Sequence, residues 1–194
     1  MDPLRKLFES LVPLTDEEFN ALYTNMYVRN YTKGQIIVND GELCHFFAFI
    51  IEGAVRSYFI KKNIEYTKFV LLKNNFVTAL SSYVENKPSR EIIQAIPFTK
   101  LICIDRPALE LLCKDFPVFE KALRRFIEIS HLRVERRLTA FISMTAEERY
   151  RALAIEQPEI IQKIPLQYVA SLIGIQPETL SRIRKKMSSY EDNQ

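Results

Sequence analysis

Three charged residues near the end of the chain share one side of a predicted helix. At about 100° per residue, Glu178, Arg182 and Lys185 project together, almost opposite the apolar side chains of the same segment. A guanidinium can bind O6 and N7 of guanine together, a carboxylate can accept from N4 of cytosine, and an ammonium can hold a phosphate or a guanine. The helix therefore has the chemistry of direct base readout. The alternative interpretation is an ordinary amphipathic surface helix with a Glu–Arg pair four residues apart.

The residues just before these side chains predict the elements that must position them. The stretch Leu166 to Lys185 matches the helix-turn-helix pattern at its restrictive positions, which are Val169, Ala170, Ile173, Gly174, Ile175, Leu180 and Ile183. Ala170 is small where two helices must cross closely, and Gly174 follows a short helix where a left-handed residue is cheapest. Pro177 suits the start of the second helix, because a first helical position does not need its N–H. We predict a DNA-reading unit whose contacts are Glu178, Thr179, Ser181, Arg182, Lys185 and Lys186.

Composition allows a polyanionic partner without requiring one. The chain has 194 residues, 47% of them hydrophobic, and a formal net charge of +3, which suits one domain or a medium domain plus a small one. Between residues 164 and 190 there are four basic residues and one acidic residue, Glu178, and this local excess suits nucleic acid. No apolar run is long enough to span a bilayer, and the first residues lack a signal-peptide core. We therefore expect a cytoplasmic protein.

The residue types that most often bind metals or carry catalysis form no cluster in the sequence. Cys44, Cys103 and Cys113 have no CxxC spacing, and the first two lie in apolar, strand-like surroundings that predict reduced core thiols. His45 and His131 are the only histidines, and neither belongs to a ligand-spaced group. The sequence contains no convincing nucleophile–base pair, phosphate loop or paired acids. We expect no cofactor and no enzymatic activity.

Residues from about 30 to 105 have β character. The β-prone runs are Lys33 to Val38, Phe46 to Ile51, Ala54 to Ile60, Tyr66 to Leu72, Ile92 to Ile96 and Lys100 to Ile104. Because Gly, Asn and Pro separate them and no helical pattern intervenes, they predict an antiparallel sandwich or barrel. Before them, residues 15–27 begin with Thr15-Asp16-Glu17-Glu18 and predict a capped helix.

Helical periodicity returns after Pro107. A short helix is predicted from Leu109 to Cys113 and a longer one from Pro117 to about Ile142. The long helix carries an apolar stripe near heptad spacing, with arginines around it; the stripe is Leu123, Ile127, Val134, Leu138 and Phe141, and the arginines are Arg124, Arg125, Arg133, Arg136 and Arg137. Such a stripe more often packs on its own domain than on another chain. A helix-turn-helix that reads two half-sites needs a dimer, however, so we predict a homodimer held by this helix.

Taken together, these segments resemble the Crp/Fnr transcription regulators over nearly the whole chain. The resemblance rests on KGQIIVNDGE, FIIEGAVRSYF and IPLQYVASLIGIQPETLSRIRKKM, and the C-terminal stretch is particularly similar to the branch common in Bacteroidetes-type bacteria. It implies an α+β fold with an N-terminal β-roll, a jelly roll of the cyclic-nucleotide-binding type. A long central dimerisation helix and a C-terminal helix-turn-helix domain of the winged-helix type would follow. The expected limits are 1–116 for the sensor domain, 117–142 for the dimerisation helix and 143–194 for the DNA-binding domain.

The resemblance also bears on the reading helix. In family members the residues corresponding to Glu178 and Arg182 contact bases, which agrees with their placement on the predicted helix. The position of Pro177 often holds an arginine that also reads DNA. That contact is absent here, so the usual operator sequence is not expected to carry over.

The sensor domain departs from the family's nucleotide-binding pattern. Cyclic-AMP-binding members carry a Gly-Glu pair for the ribose and an Arg-Ser pair for the cyclic phosphate, where this chain has Thr78-Ala79 and Ser89-Arg90. The ribose acceptor is missing, and Arg90 either reaches an anion after a one-residue slip of its loop or is a solvated cation. The candidate effector-binding residues are Ser81, Ser82, Ser89 and Arg90. We expect that cyclic AMP is not a tight ligand.

Two function classes follow from these observations. The leading hypothesis is a homodimeric, sequence-specific transcription regulator that binds double-stranded DNA, with RNA polymerase as a further candidate partner. Its β-roll is either the sensor of an unknown small-molecule effector or a degenerate scaffold. The runner-up is a ligand-binding or protein-interaction module whose helix-turn-helix docks a protein. Salt dependence separates the two, because phosphate contacts release counterions and a protein-docking surface shows little such slope.

Overall fold

The fold was analysed in a computed structural model that describes residues 3–191, with side chains described through Met187. Every candidate DNA-binding and effector-binding residue lies within this range. The outer ends of the expected segments 1–116 and 143–194, at residues 1–2 and 192–194, lie outside the described residues.

Helices are found at both ends of the described chain. They are α1 (Pro3–Leu11), α2 (Asp16–Thr24), α3 (Leu80–Glu85), α4 (Arg106–Asp115), α5 (Val118–Ser143), α6 (Ala146–Glu156), α7 (Pro158–Lys163), α8 (Leu166–Ile173) and α9 (Pro177–Glu191). Helix α2 begins with the predicted capping box: Thr15 accepts from the Glu18 backbone N–H, and the Glu18 carboxylate accepts from the Thr15 N–H. Helix α5 matches the long helix expected from Pro117 to Ile142 within a residue.

Strands occupy the middle of the chain. They are β1 (Tyr27–Tyr31), β2 (Ile36–Val38), β3 (Phe46–Glu52), β4 (Ala54–Lys61), β5 (Ile64–Leu72), β6 (Phe76–Val77), β7 (Ile92–Ala95) and β8 (Thr99–Asp105). They form two four-stranded sheets of order β1-β8-β3-β6 and β2-β7-β4-β5. Strand β8 pairs antiparallel with both β1 and β3, as expected for a sandwich built by non-sequential pairing. The predicted antiparallel β-roll is confirmed.

The chain divides into two compact units. The first comprises residues 1–57 and 71–134, and the second comprises residues 58–70 and 135–194. The tip of the β4–β5 hairpin, residues 58–70, therefore groups with the C-terminal helices, although it falls inside the segment 1–116 expected to form the sensor domain.

Two apolar clusters hold the first unit together. One cluster joins residues of both sheets, including Ile50, Val55, Ile93 and Leu101, each essentially inaccessible to solvent. The other packs the N-terminal helices and the first turns of α5 on the sheet that contains β3 and β8. The thiols of Cys44 and Cys103 are free and buried, which confirms the interpretation as core residues. Burial raises the pKa of Cys103 to about 12.

The C-terminal region is helical. Between residues 106 and 191 the structure describes α4 to α9 and no strand, so helices alone build the helix-turn-helix region. None of the helices in residues 3–191 combines the length and the apolar character needed to cross a bilayer.

Candidate nucleic-acid interface

The helix-turn-helix is formed by α8 and α9. Helix α8 ends at Gly174, whose φ of 77° lies in the left-handed region that a side chain disfavours. The turn closes when the N–H of Ile175 donates to the carbonyl of Ala170 at 3.0 Å. A second constraint acts on the same glycine: a Cβ at position 174 would lie 2.6 Å from Cε1 of Phe141. The predicted left-handed conformation of Gly174 is confirmed, and Ala170 is fully buried in the same unit.

Helix α9 begins at Pro177 and presents the predicted two faces. Leu180 is 1% exposed, and Ile183 and Met187 are half-buried, so the apolar side of the helix packs inward. The three side chains on the other side, Glu178, Arg182 and Lys185, are all exposed. The second unit therefore holds a helix by its back and leaves a carboxylate, a guanidinium and an ammonium on its front.

The other predicted DNA contacts have partners inside the same unit. Thr179 is half-buried, and its hydroxyl accepts from Arg182 at 3.2 Å. Ser181 is half-buried and donates to the Pro177 carbonyl at 3.1 Å within the helix. Lys186 is exposed, and its Nζ lies 2.9 Å from Oε2 of Glu147, a residue of α6.

Glu147 lies between two cations. Its carboxylate contacts Lys186 at 2.9 Å and Arg151 at 2.8 Å, and both bonds hold the pKa of Glu147 below its usual value. The exposed fraction of the Glu147 side chain is 26%, against 54% for Lys186. A phosphate that binds Lys186 must compete with this carboxylate.

Two arginines outside the helix-turn-helix hold the end of α8. Arg149 donates to the carbonyls of Ile173 and Met144 at 3.0 and 2.6 Å, and Arg137 donates to the carbonyl of Leu172 at 2.7 Å. These bonds satisfy carbonyls that a helix C-terminus otherwise leaves unpaired. Both guanidiniums lie over one aromatic ring, Phe141, at 4.7 Å for Arg149 and 5.3 Å for Arg137. Burial lowers the pKa of Arg137 to about 10.

Sequence reasoning missed these arginines as supports of α8. Arg137 was assigned to the charged surroundings of the apolar stripe, and Arg149 was assigned no role. Spacing within one helix gives no signal for a bond to a carbonyl 24 or 35 residues away.

The apolar stripe of α5 is largely exposed along its second half. Val134 and Leu138 are 61% and 59% exposed, and Ile127 is 44% exposed. Leu123, near the start of the helix, packs on the core of the first unit. The start of the stripe therefore packs on its own domain, whereas Ile127, Val134 and Leu138 are exposed apolar side chains.

The candidate effector residues lie in the first unit, where two of the four hydroxyl or guanidinium groups already bind backbone. Ser82 is buried, accepts from the Cys44 N–H at 3.0 Å and donates to the Lys87 carbonyl at 2.6 Å. Ser89 is buried and donates to the Glu91 carbonyl at 2.7 Å. The remaining two candidates, Ser81 and Arg90, are exposed.

The same unit contains a buried polar group that sequence reasoning did not single out. Arg56 is 2% exposed and donates to Gln94 at 2.9 Å, and Ser57 donates to the carboxylate of the buried Glu91. The available signal was the polar pair Arg56-Ser57 inside an otherwise apolar strand run. Ala79, which we expect to stand where cyclic-AMP-binding relatives have a glutamate, is fully buried.

Comparison with known proteins first defines the class of the N-terminal region. Residues 28–116 match the family model of the cyclic nucleotide-binding domain. No curated protein sequence matches this chain.

Solved structures extend the likeness to both units. FixK2 from Bradyrhizobium japonicum has a TM-score of 0.73 at 19% identity, covering 86% of each chain. CLP from Xanthomonas campestris, a c-di-GMP responsive global regulator, has a TM-score of 0.71 at 16% identity, covering 91% of this chain and 93% of its own. A putative regulator of the Crp/Fnr family from Eubacterium rectale has a TM-score of 0.70 at 18% identity, covering 91% and 85%. Residues 28–116 thus resemble a cyclic nucleotide-binding domain, and the chain has the fold of solved Crp/Fnr-type structures.

Proposed function

We propose that this chain is a sequence-specific DNA-binding transcription regulator that acts as a homodimer. The observation that carries the proposal is the exposed triad Glu178, Arg182 and Lys185 on a helix whose opposite face is packed into a helix-turn-helix. These three side chains match base-edge and phosphate chemistry in the major groove. The Crp/Fnr fold supports the same assignment. Such a regulator acts where the chromosome is, in the cytoplasm, and the proposal assigns it no catalytic step.

We assign three functional segments. Residues 1–116 form the sensor, residues 117–142 the dimerisation helix and residues 143–194 the DNA-binding domain. Dimerisation is supported by the exposed apolar residues of α5, for which we propose a second copy of the chain as occupant, because two half-sites on one face of DNA require two reading heads. The effector is a small molecule other than cyclic AMP, and RNA polymerase is the partner that a DNA-bound regulator would address.

Within α9 we assign different roles to Arg182 and Lys186. Arg182 projects from the middle of the exposed face and reads a base, whereas Lys186 is rotated toward the side, where phosphates line the groove. Removing a bidentate arginine contact costs about 1–3 kcal/mol and relaxes specificity at one base pair per half-site. Removing Lys186 weakens binding to all sequences similarly and makes the salt slope shallower by about one phosphate contact.

The test begins with selection of bound duplexes from genomic fragments by the purified wild-type protein. Arg182→Ala and Lys186→Ala are then measured on the selected operator and its single-base variants at several salt concentrations. Arg184→Ala is the matched control, because it removes the same charge from the same exposed helix on a side away from the triad. Equal affinity loss on every base variant would remove the base-reading role of Arg182. Wild-type binding without a salt slope would favour a protein-docking module instead.

A further inference from the structure

Hydrogen bonds tie the tip of the β4–β5 hairpin to the first helix of the helix-turn-helix. The N–H of Thr67 donates to Oγ of Ser171 at 2.8 Å, and that hydroxyl donates to the Glu65 carbonyl at 3.2 Å. Arg137 adds a bridge, since it donates to the Thr67 carbonyl at 3.1 Å and to the Leu172 carbonyl at 2.7 Å. We call these bonds the strap.

The strap joins segments that are distant in sequence. Its bonds connect residues 35 to 106 positions apart, all within the second unit. It uses α8 and leaves the reading face of α9 uncovered, since Glu178, Arg182 and Lys185 are exposed while the strap is formed. A contact of this kind does not block DNA. It fixes the orientation of the helix that supports α9.

Groups that form the strap are shielded from solvent. Thr67 is 4% exposed, and Arg137 is half-buried, which lowers the pKa of its guanidinium to about 10. A hydrogen bond in such surroundings is hard to replace by water, and leaving a buried N–H unpaired is costly. Ser171 supplies the side-chain oxygen that accepts from the Thr67 N–H.

We propose that the hairpin tip is a positioning element for DNA reading and that Ser171 is the residue through which it acts. The inference rests on the proposed function, because a fixed orientation matters most when two reading heads must meet two half-sites at a set spacing. If α8 were less firmly held, DNA binding would have to restrict its orientation at a cost in free energy. We expect that cost with an operator of two half-sites, which fixes both reading heads, and not with a single half-site. Ser171 is therefore a positioning residue that has no need to touch DNA.

The experiment compares Ser171→Ala with wild type and with Ser143→Ala. Ser143 is exposed, and its hydroxyl donates to the Thr139 carbonyl of its own helix at 2.8 Å, so it is a matched loss of a serine hydroxyl in the same unit. Alanine favours helix more than serine, so Ser171→Ala is not expected to unfold α8. Hydrogen exchange at the Thr67 amide is measured together with affinity for a duplex with two half-sites and a duplex with one.

For Ser171→Ala we expect faster exchange at the Thr67 amide and a loss of about three- to tenfold in affinity for the two-site duplex, the range of one net hydrogen bond. Affinity for the one-site duplex and the salt slope of binding should stay at wild-type values. In Ser143→Ala, the Thr67 amide exchange, both affinities and the salt slope should all match wild type. Unchanged exchange at the Thr67 amide would show that the Ser171 hydroxyl does not protect it, which would contradict the strap. Equal loss on both duplexes, or no loss on either, would remove the positioning role. Absence of duplex binding by wild type would overturn the proposed function and with it the positioning role, while exchange still reports on the strap.

Discussion

Replacing Gly174 by alanine is expected to destabilise the second unit for two separable reasons. The φ of 77° is a left-handed conformation that costs a residue with a Cβ roughly 1–2 kcal/mol. The new Cβ would also lie 2.6 Å from Cε1 of Phe141, a ring that the guanidiniums of Arg137 and Arg149 both contact. Forcing a methyl group against that ring costs about 1–3 kcal/mol more. The sum for Gly174→Ala is about 2–5 kcal/mol.

A second glycine separates the two contributions. Gly41 has a φ of 83°, and nothing lies within 4 Å of a Cβ built on it, so Gly41→Ala should show the backbone cost alone, roughly 1–2 kcal/mol. Within the second unit, Phe141→Leu shortens the side chain that the new methyl group meets. We therefore expect the penalty of Gly174→Ala to shrink by about 1–3 kcal/mol in that background.

Native-state hydrogen exchange at amides beside each substitution measures the local free energy of opening. The cost of Gly174→Ala in the second unit can then be compared with the cost of Gly41→Ala in the first. A destabilisation by Gly174→Ala no greater than that by Gly41→Ala, without coupling to Phe141→Leu, would contradict the expected ring contact. A large cost without coupling would place the strain in the turn rather than in the ring contact.

Three further outcomes are expected. Charged residues at Val134 and Leu138, which are 61% and 59% exposed, should give monomers that bind DNA poorly, and an unchanged dimer in sedimentation would reject α5 as the interface. Calorimetry at micromolar cyclic AMP should show no binding, because the buried Ala79 supplies no carboxylate and Arg90 is exposed; a clear isotherm would mean that another cation holds the phosphate. Thr67→Val should stabilise the second unit by about 1 kcal/mol, since the buried hydroxyl of Thr67 has no hydrogen-bond partner among the described residues; a destabilised variant in thermal unfolding would show that the hydroxyl is satisfied.

Features set by near neighbours in sequence could be predicted. The turn at Gly174, the start of α9 at Pro177 and the capping box at Thr15 each depend on residues within a few positions, and each was found where the pattern placed it. The two faces of α9 follow from helical geometry alone. Six of the eight described strands were found for the same reason, although β2 begins at Ile36 rather than Lys33. Strands β1 and β6 were not predicted.

Some local signals were present and not used. Thr145 and Glu148 form a capping box that starts α6, with the same spacing as the one at Thr15. The short helices α1, α3 and α7 carry weaker signals, and they were not predicted. The expected helix at 15–27 ends at Thr24, because the next strand begins at Tyr27 and pairs with β8. Long-range pairing there overrides local helical preference.

Bonds between distant segments left no trace in the sequence. The strap depends on backbone groups of Glu65 and Thr67, whose side-chain identities do not specify the contact. The roles of Arg137 and Arg149 likewise depend on carbonyls brought near by folding. A residue type predicts what a side chain can bind, whereas only the fold determines which carbonyl lies within reach.

The charge pattern of α9 is therefore an incomplete guide to the DNA affinity that we propose for it. Lys186 and Arg182 are both exposed cations on one helix, yet Lys186 is held by the Glu147 carboxylate at 2.9 Å, while Arg182 donates to the neutral hydroxyl of Thr179 at 3.2 Å. A phosphate that binds Lys186 must replace its ion pair with the Glu147 carboxylate, whose lowered pKa keeps it charged. The net binding free energy is therefore only the difference between the two ion pairs. A base edge that binds Arg182 displaces a weaker, neutral partner. We therefore expect unequal contributions from two equal formal charges, with the larger one from Arg182, for which we propose base reading.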